Sequence, residues 1–117
     1  MKVLVIDDNQ KFRELLRDYL PRSSVDEMYE CADGSQAFAL YKKHLPEWVL
    51  MDWQMPGTDG ITATREIIAK YPNANICMVT SYDDEVLRIE AKEAGAIGFV
   101  LKKNLSELPE ILIGGLK

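Results

Sequence analysis

Carboxylates, hydroxyls and an ammonium group, far apart in the chain, could act together on a phosphate. The carboxylates are Asp7, Asp8 and Asp52, the hydroxyls Thr80 and Ser81, and the ammonium Lys102. Three carboxylates brought to one place repel one another, so one must take up a proton or a cation must neutralise them. All the ligands are hard oxygens, with no sulfur or imidazole alongside. That chemistry selects Mg2+, with Mn2+ and Ca2+ as the other candidates. Mg2+ keeps several waters and binds one or two carboxylates together with phosphate oxygens, so such a cluster is half of a phosphate site. Thr80 and Lys102 would hold the remaining phosphoryl oxygens. Taken singly, most of these residues have plainer roles. Asp8-Asn9 can cap a helix, as can Thr80-Ser81 or Asp83, and a lone lysine is usually a solvated charge. Asp52 resists that treatment. It closes the apolar run Trp48–Met51 and precedes Trp53, where burial without a partner is costly.

The elements that must position these groups are legible as runs and stripes. Five strand-length apolar runs occur: Val3–Ile6, the stretch around Met28–Cys31, Trp48–Met51, Ile76–Val79 and Ile97–Leu101. Most do not alternate polar with apolar, the pattern of strands buried on both faces. Val25–Cys31, with Asp26, Glu27 and Glu30 mixed in, reads as an edge strand. Between the runs lie helical stripes. Phe12, Leu15, Leu16, Tyr19 and Leu20 form the first, with Asn9 as N-cap and Pro21 just past its end. Ala37, Leu40, Tyr41 and Leu45 form the second. Ile61, Thr64, Ile68 and Tyr71 form the third, stopped by Pro72. Leu87, Ala91 and Ala94 form the fourth, ended by Gly95. A short last helix starts near Ser106 and meets Gly114-Gly115.

Five β-α alternations predict an α/β fold: a five-stranded parallel sheet with right-handed crossovers and helices on both faces. A polar second strand fits the flavodoxin-like order 2-1-3-4-5. Sites in such sheets form outside the carboxyl ends of the strands, where the order reverses. Asp7-Asp8, Asp52, Thr80 and Lys102 follow the first, third, fourth and fifth runs, and strands one and three are neighbours. Three carboxylates therefore converge on one rim, with a hydroxyl and an ammonium arriving from the other side.

Composition narrows the function. The chain has 117 residues, 47% hydrophobic and 28% charged, a globular balance fitting one domain. Fourteen basic against nineteen acidic residues give a net charge of -5. That argues against nucleic-acid binding by this chain and against a polybasic membrane surface. Cys31 and Cys77 read as buried free thiols in a reducing compartment. No apolar run reaches membrane-span length, and the start is too short for a signal-peptide core, so a cytoplasmic location is expected. Gly114-Gly115 and Lys117 read as the start of a linker or a ragged end.

At these residues the sequence resembles the response-regulator receiver domain of two-component signalling. The resemblance spans essentially residues 1–117, read as one receiver domain. It rests on VLVIDDN, LMDWQMPGTDG, MVTSY and GAIGFVLKK. It implies that Asp52 is the phosphoacceptor, Asp8 a direct metal ligand and Asp7 a ligand acting largely through water. The Gln54 backbone carbonyl would be a third protein ligand for Mg2+. Thr80 would be the switch hydroxyl, Phe99 the switch aromatic and Lys102 the phosphate-binding lysine, with Pro56 and Gly60 shaping the turn into the third helix. The implied partners are a sensor histidine kinase or phosphotransfer protein, an output domain or downstream protein, and a second copy in a phosphorylation-dependent homodimer. The implied protein is no enzyme beyond its own phosphorylation and dephosphorylation.

Lys103 stands where many receivers have proline, a variant similar to the branch bearing helix-turn-helix output domains. Phe99 replaces the commoner tyrosine, which removes a phenolic readout. His44 reads as a surface residue and Trp48 as packing. Val86 and Ile89 lie off the main stripe of the fourth helix and are candidates for a partner surface. Two rival readings are a Mg2+-dependent phosphatase with an aspartyl nucleophile and a phosphorylation-independent interaction module. Haloacid-dehalogenase-like phosphatases place a DxD pattern after the first strand, whereas this chain has Asp7-Asp8-Asn9. The intact Asp8, Asp52, Thr80 and Lys102 argue against a module that never meets phosphate.

Overall fold

The computed structural model describes residues 1–114. Five strands, β1 (Lys2–Ile6), β2 (Glu27–Cys31), β3 (Trp48–Met51), β4 (Ile76–Thr80) and β5 (Gly98–Leu101), form one parallel sheet in the order β2-β1-β3-β4-β5. This is the flavodoxin-like order predicted from the polar second strand, and β2 lies at the edge. Helices α1 (Gln10–Tyr19), α2 (Ala37–His44), α3 (Gly60–Lys70), α4 (Glu85–Ala94) and α5 (Leu108–Gly114) follow the strands in turn.

Side-chain alternation along the strands sorts the core into two layers. Leu4, Ile6, Val49, Met51, Ile76 and Met78 point to the face covered by α2, α3 and α4, meeting Tyr41, Ile67 and Leu87. Val3, Val5, Trp48, Leu50, Cys77 and Val79 point to the face covered by α1 and α5, meeting Leu16, Leu108 and Leu112. On that second face the Trp48 indole N–H donates to the Leu112 carbonyl at 3.0 Å, satisfying one of the terminal carbonyls of α5. Cys31 and Cys77 are free and buried, and burial pushes the Cys77 thiol up to about 12.

Several local expectations shift. β2 begins at Glu27, not Val25, because Ser24 and Val25 donate to the Pro21 carbonyl in a turn. β5 begins at Gly98, and Ile97 is exposed. The expected cap of α4 moves from Thr80-Ser81 or Asp83 to Asp84, whose carboxylate accepts from the Leu87 N–H at 3.1 Å. Asp83 instead pairs with Arg88. α5 starts at Leu108, because a 3₁₀ stretch over Lys102–Glu107 comes first. In α3 it is Ile67 that is fully buried, and Ile68 only partly. His44 is half-buried, not simply on the surface: its ring stacks on Tyr29 at 3.7 Å. The glycine pair's second member and Lys117, read as a linker or ragged end, lie outside the described residues.

Candidate functional site

Hydrogen bonding carries the sheet one residue beyond its strands and so sets the two central carboxylates side by side. Asp7 N–H donates to the Cys31 carbonyl at 3.0 Å, and Asp52 N–H donates to the Ile6 carbonyl at 2.9 Å. Asp7 and Asp52 are thereby locked at the same rim, both buried, while Asp8 is exposed. Carboxylate oxygens of Asp7, Asp8 and Asp52 all lie within 4.8 Å of one another. The backbone around Asp52 leaves little room for variation. A Cβ on Gly60 would sit 1.8 Å from the Asp52 carbonyl oxygen, so only glycine lets α3 start there. Asp59 caps that helix by accepting from the Ile61 and Thr62 N–H groups.

Each buried carboxylate has one oxygen tied to backbone and one turned to the cluster. Asp52 Oδ1 accepts from its neighbour Trp53 N–H at 2.8 Å, and Asp7 Oδ1 from Asn9 N–H at 2.9 Å. Lys102 reaches in from the end of β5, its Nζ 2.8 Å from Asp7 Oδ2 and 3.4 Å from Asp52 Oδ2. Among the described residues the fully buried Asp7 Oδ2 accepts no hydrogen bond of good geometry, and the Lys102 ammonium compensates it. Burial, and next the Asp7 charge, push the Asp52 carboxyl up from 3.8 to about 6, against the opposing pull of Lys102. Those two carboxylates in turn hold the Lys102 ammonium above its ordinary value, outweighing its own desolvation.

A cleft of about 520 Å³ opens over these groups, bordered by Asp8, Asp52, Gln54, Tyr82 and Lys102. Thr80 does not border it. Thr80 is fully buried at the end of β4, and its Oγ1 accepts from the Tyr82 N–H at 3.3 Å. At the mouth, the Tyr82 hydroxyl donates to Gln54 Oε1 at 2.6 Å, and the ring meets Trp53 edge-on at 5.1 Å. Phe99 lies outside the carboxylate cluster, partly buried on β5, with the Arg88 guanidinium 4.3 Å above its ring. Val86 and Ile89 are both exposed on α4.

The contacts of three residues escaped the sequence reading. The Phe12 ring lies under Lys102, with Nζ 4.2 Å from the centroid. Arg13 donates to the Asp7 backbone carbonyl and, at 3.0 Å, to Glu30 on β2, bracing the β1–α1 junction. Arg88 covers Phe99. Phe12 was absorbed by the apolar stripe of α1, and the two arginines look like ordinary surface charge. The one available signal was position, since Phe12 and Arg13 fall in the turn of helix that follows Asp7-Asp8.

The donor set fits a hard divalent cation: oxygen ligands only, mutually close, one of them buried without a hydrogen bond. An open parallel sheet with such a cluster at its carboxyl rim, faced by a lysine from the last strand, can hold a cation together with an anionic ligand. The chain belongs to the response regulator receiver domain family, whose description matches residues 3–113. It is 36% identical over 101 residues to the chemotaxis protein CheY of Bacillus subtilis, covering 86% of this chain and 84% of that one. It is 34% identical over 104 residues to the transcriptional regulatory protein DegU of Brevibacillus brevis, covering 88% of this chain but only 44% of DegU. The crystal structure of a LuxR-family two-component response regulator from Aurantimonas sp. SI85-9A1 superposes with a TM-score of 0.88 at 34% identity, covering 97% of this chain and 85% of that one. The chain thus spans less than half the length of DegU and about five-sixths of CheY. Receiver domains are phosphorylation-dependent signalling switches that bind Mg2+ at an acidic pocket, and they are generally not enzymes. Among the described residues no helix is long and apolar enough to cross a membrane.

Proposed function

We propose that Asp52 accepts a phosphoryl group from a phosphohistidine of a partner kinase or phosphotransfer protein, or from a small phosphodonor, in the cytoplasm. The carrying observation is the state of Asp52: buried, one oxygen fixed by the Trp53 N–H, the other in the cluster with Asp7 and Lys102. Asp52 attacks phosphorus through that second oxygen; the P–N bond of a phosphohistidine breaks and the imidazole leaves as the protonated, neutral ring, or the P–O bond of an acyl phosphate breaks and its carboxylate leaves. Asp7, Asp8, Asp52 and the Gln54 carbonyl would hold Mg2+, which supplies charge neutralisation for the carboxylates and the transferring phosphoryl group. Lys102 moves its ammonium onto a phosphoryl oxygen, and the Thr80 hydroxyl turns from the Tyr82 N–H to donate to another. Space vacated by Thr80 lets Phe99 turn inward, and the surface around α4 and β5 changes.

The switch acts on an output domain or a downstream protein, and a phosphorylation-dependent homodimer is one form that output takes. DegU, which is more than twice as long as the matched region, is named a transcriptional regulatory protein, and this supports an output domain in the parent protein. The whole of residues 1–117 serves as the receiver unit.

The test is intact mass after incubation with acetyl phosphate, with and without Mg2+. One phosphoryl group per chain is expected with Mg2+, and none in Asp52→Asn. Full labelling of Asp52→Asn at another residue would overturn the assignment.

A further inference from the structure

The ammonium of Lys102 sits between an anion and an aromatic face that share one rigid junction. Its Nζ lies 2.8 Å from Asp7 Oδ2 and 4.2 Å from the Phe12 ring centroid. Asp7 Oδ1 accepts from Asn9 N–H at 2.9 Å, and Asn9 Oδ1 accepts from Phe12 N–H at 3.0 Å. Two successive hydrogen bonds therefore fix the carboxylate relative to the Phe12 backbone, through the N-cap of α1, and the ring extends from that anchored position to the ammonium. Lys102 comes from the opposite part of the sheet, at the end of β5. Its side chain is only 18% exposed and that of Asp7 2%, so water screens the arrangement weakly.

We propose that Phe12 is a positioning residue for Lys102: its ring holds the ammonium against Asp7, parking the lysine on the metal-binding carboxylates of the unphosphorylated protein. This rests on the reading of the acidic cluster as a Mg2+ site. Among the described residues Asp7 Oδ2 has only the lysine as compensation, so a cation that engages Asp7, directly or through a bound water, competes with the ammonium for that oxygen. The grip of the ring enters the competition directly. A stronger grip weakens cation binding, and a released lysine is free to meet a phosphoryl oxygen. Ordering follows: Lys102 leaves Asp7 when the cation arrives, and the phosphate site is completed only then.

The test compares the parent with Phe12→Leu, which keeps apolar packing without a π face, and Phe12→Tyr, which keeps both. Mg2+ affinity is measured by titration calorimetry. Lys102 position is read by NMR in metal-free protein, where its ε-methylene protons should be shifted upfield by the ring. With a partly desolvated cation–π contact removed, Phe12→Leu should bind Mg2+ about three- to ten-fold more tightly. Phe12→Tyr should stay within about two-fold of the parent, since the ring face is retained. The upfield shift should disappear in Phe12→Leu and on saturating the parent with Mg2+. Pentafluorophenylalanine at position 12 preserves ring size while reversing the charge on its face, so it should also tighten Mg2+ binding, whether or not Phe12→Leu folds. Unchanged affinity with the fluorinated ring, or equal changes in the Leu and Tyr variants, would overturn the proposal. If the parent bound no Mg2+, the reading of the cluster would fail, and the metal-free upfield shift would still decide whether the ring holds the lysine.

Discussion

Asp52 is a buried carboxylate whose titration is displaced by its surroundings, and that displacement gives a stability prediction. The folded carboxyl has been moved up from 3.8 to about 6, chiefly by burial. A carboxyl with a raised value binds more protons folded than unfolded, so stability falls as pH rises through the window from about 4 to 6. Above that window the buried anion is a full penalty of about 3 kcal/mol. In metal-free buffer, Asp52→Asn should therefore be more stable than the parent by up to about that amount at pH 7 to 8, converging on it near pH 4. Urea unfolding across that range checks this, and a difference independent of pH would contradict it. The other residue-scale prediction concerns how long the phosphoryl group survives. Hydrolysis needs water in line with the P–O bond, and the hydrogen-bonded Tyr82–Gln54 pair spans the cleft mouth at 2.6 Å. Tyr82→Ala removes both the hydrogen bond and the ring packed on Trp53, and should speed phosphate loss about two- to ten-fold. Gln54→Ala leaves the ring on Trp53 and should change the rate less. Phosphate release after donor removal, at constant Mg2+, distinguishes them, and decay of Tyr82→Ala no faster than the parent would leave Gln54 as the control point.

Among the elements, the β4–α4 segment separates chemistry from response. β4 ends on the buried Thr80, whose hydroxyl accepts from Tyr82 N–H, and α4 starts only at Glu85 under the Asp84 cap. Residues 81–84 are thus free of helix and can follow a movement of Thr80. Arg88, in the first turn of α4, rests on Phe99 of β5, so the ring cannot turn inward without leaving the guanidinium. Thr80→Ala should accept phosphate with Mg2+ but respond less: amide shifts around Arg88 and Phe99 on adding beryllofluoride and Mg2+ should shrink to about half or below. An unchanged response would show that Thr80 is not the relay.

At the scale of the molecule, one buried hydrogen bond ties the sheet to the last helix. Trp48 opens β3, and its indole N–H holds the Leu112 carbonyl of α5 inside the layer packed on α1 and α5. Trp48→Phe removes that buried hydrogen bond and should lower the unfolding free energy by about 1 kcal/mol in urea. Mg2+ affinity should not move, because the site is at the other end of the strand. The sequence by itself determined the five β-α alternations and the polar edge strand, because periodicity and burial pattern are local properties; that edge strand fitted one of the two common strand orders, and the pairing of β1 with β3 established it. The sequence also located Asp7, Asp8, Asp52, Thr80 and Lys102, since in a parallel sheet whatever follows a strand lands on the carboxyl rim. Strand and helix ends were less legible. Val25, Ile97 and Asp83 fit their expected roles as well as the residues that took them, and tertiary turns and an ion pair chose between them. Only the tertiary structure decided that Lys102 rests on Asp7, that Phe12 lies beneath it and that Arg88 covers Phe99. Those contacts join residues from different elements, and their geometry depends on how each helix is laid across the sheet, which no local pattern of residues encodes.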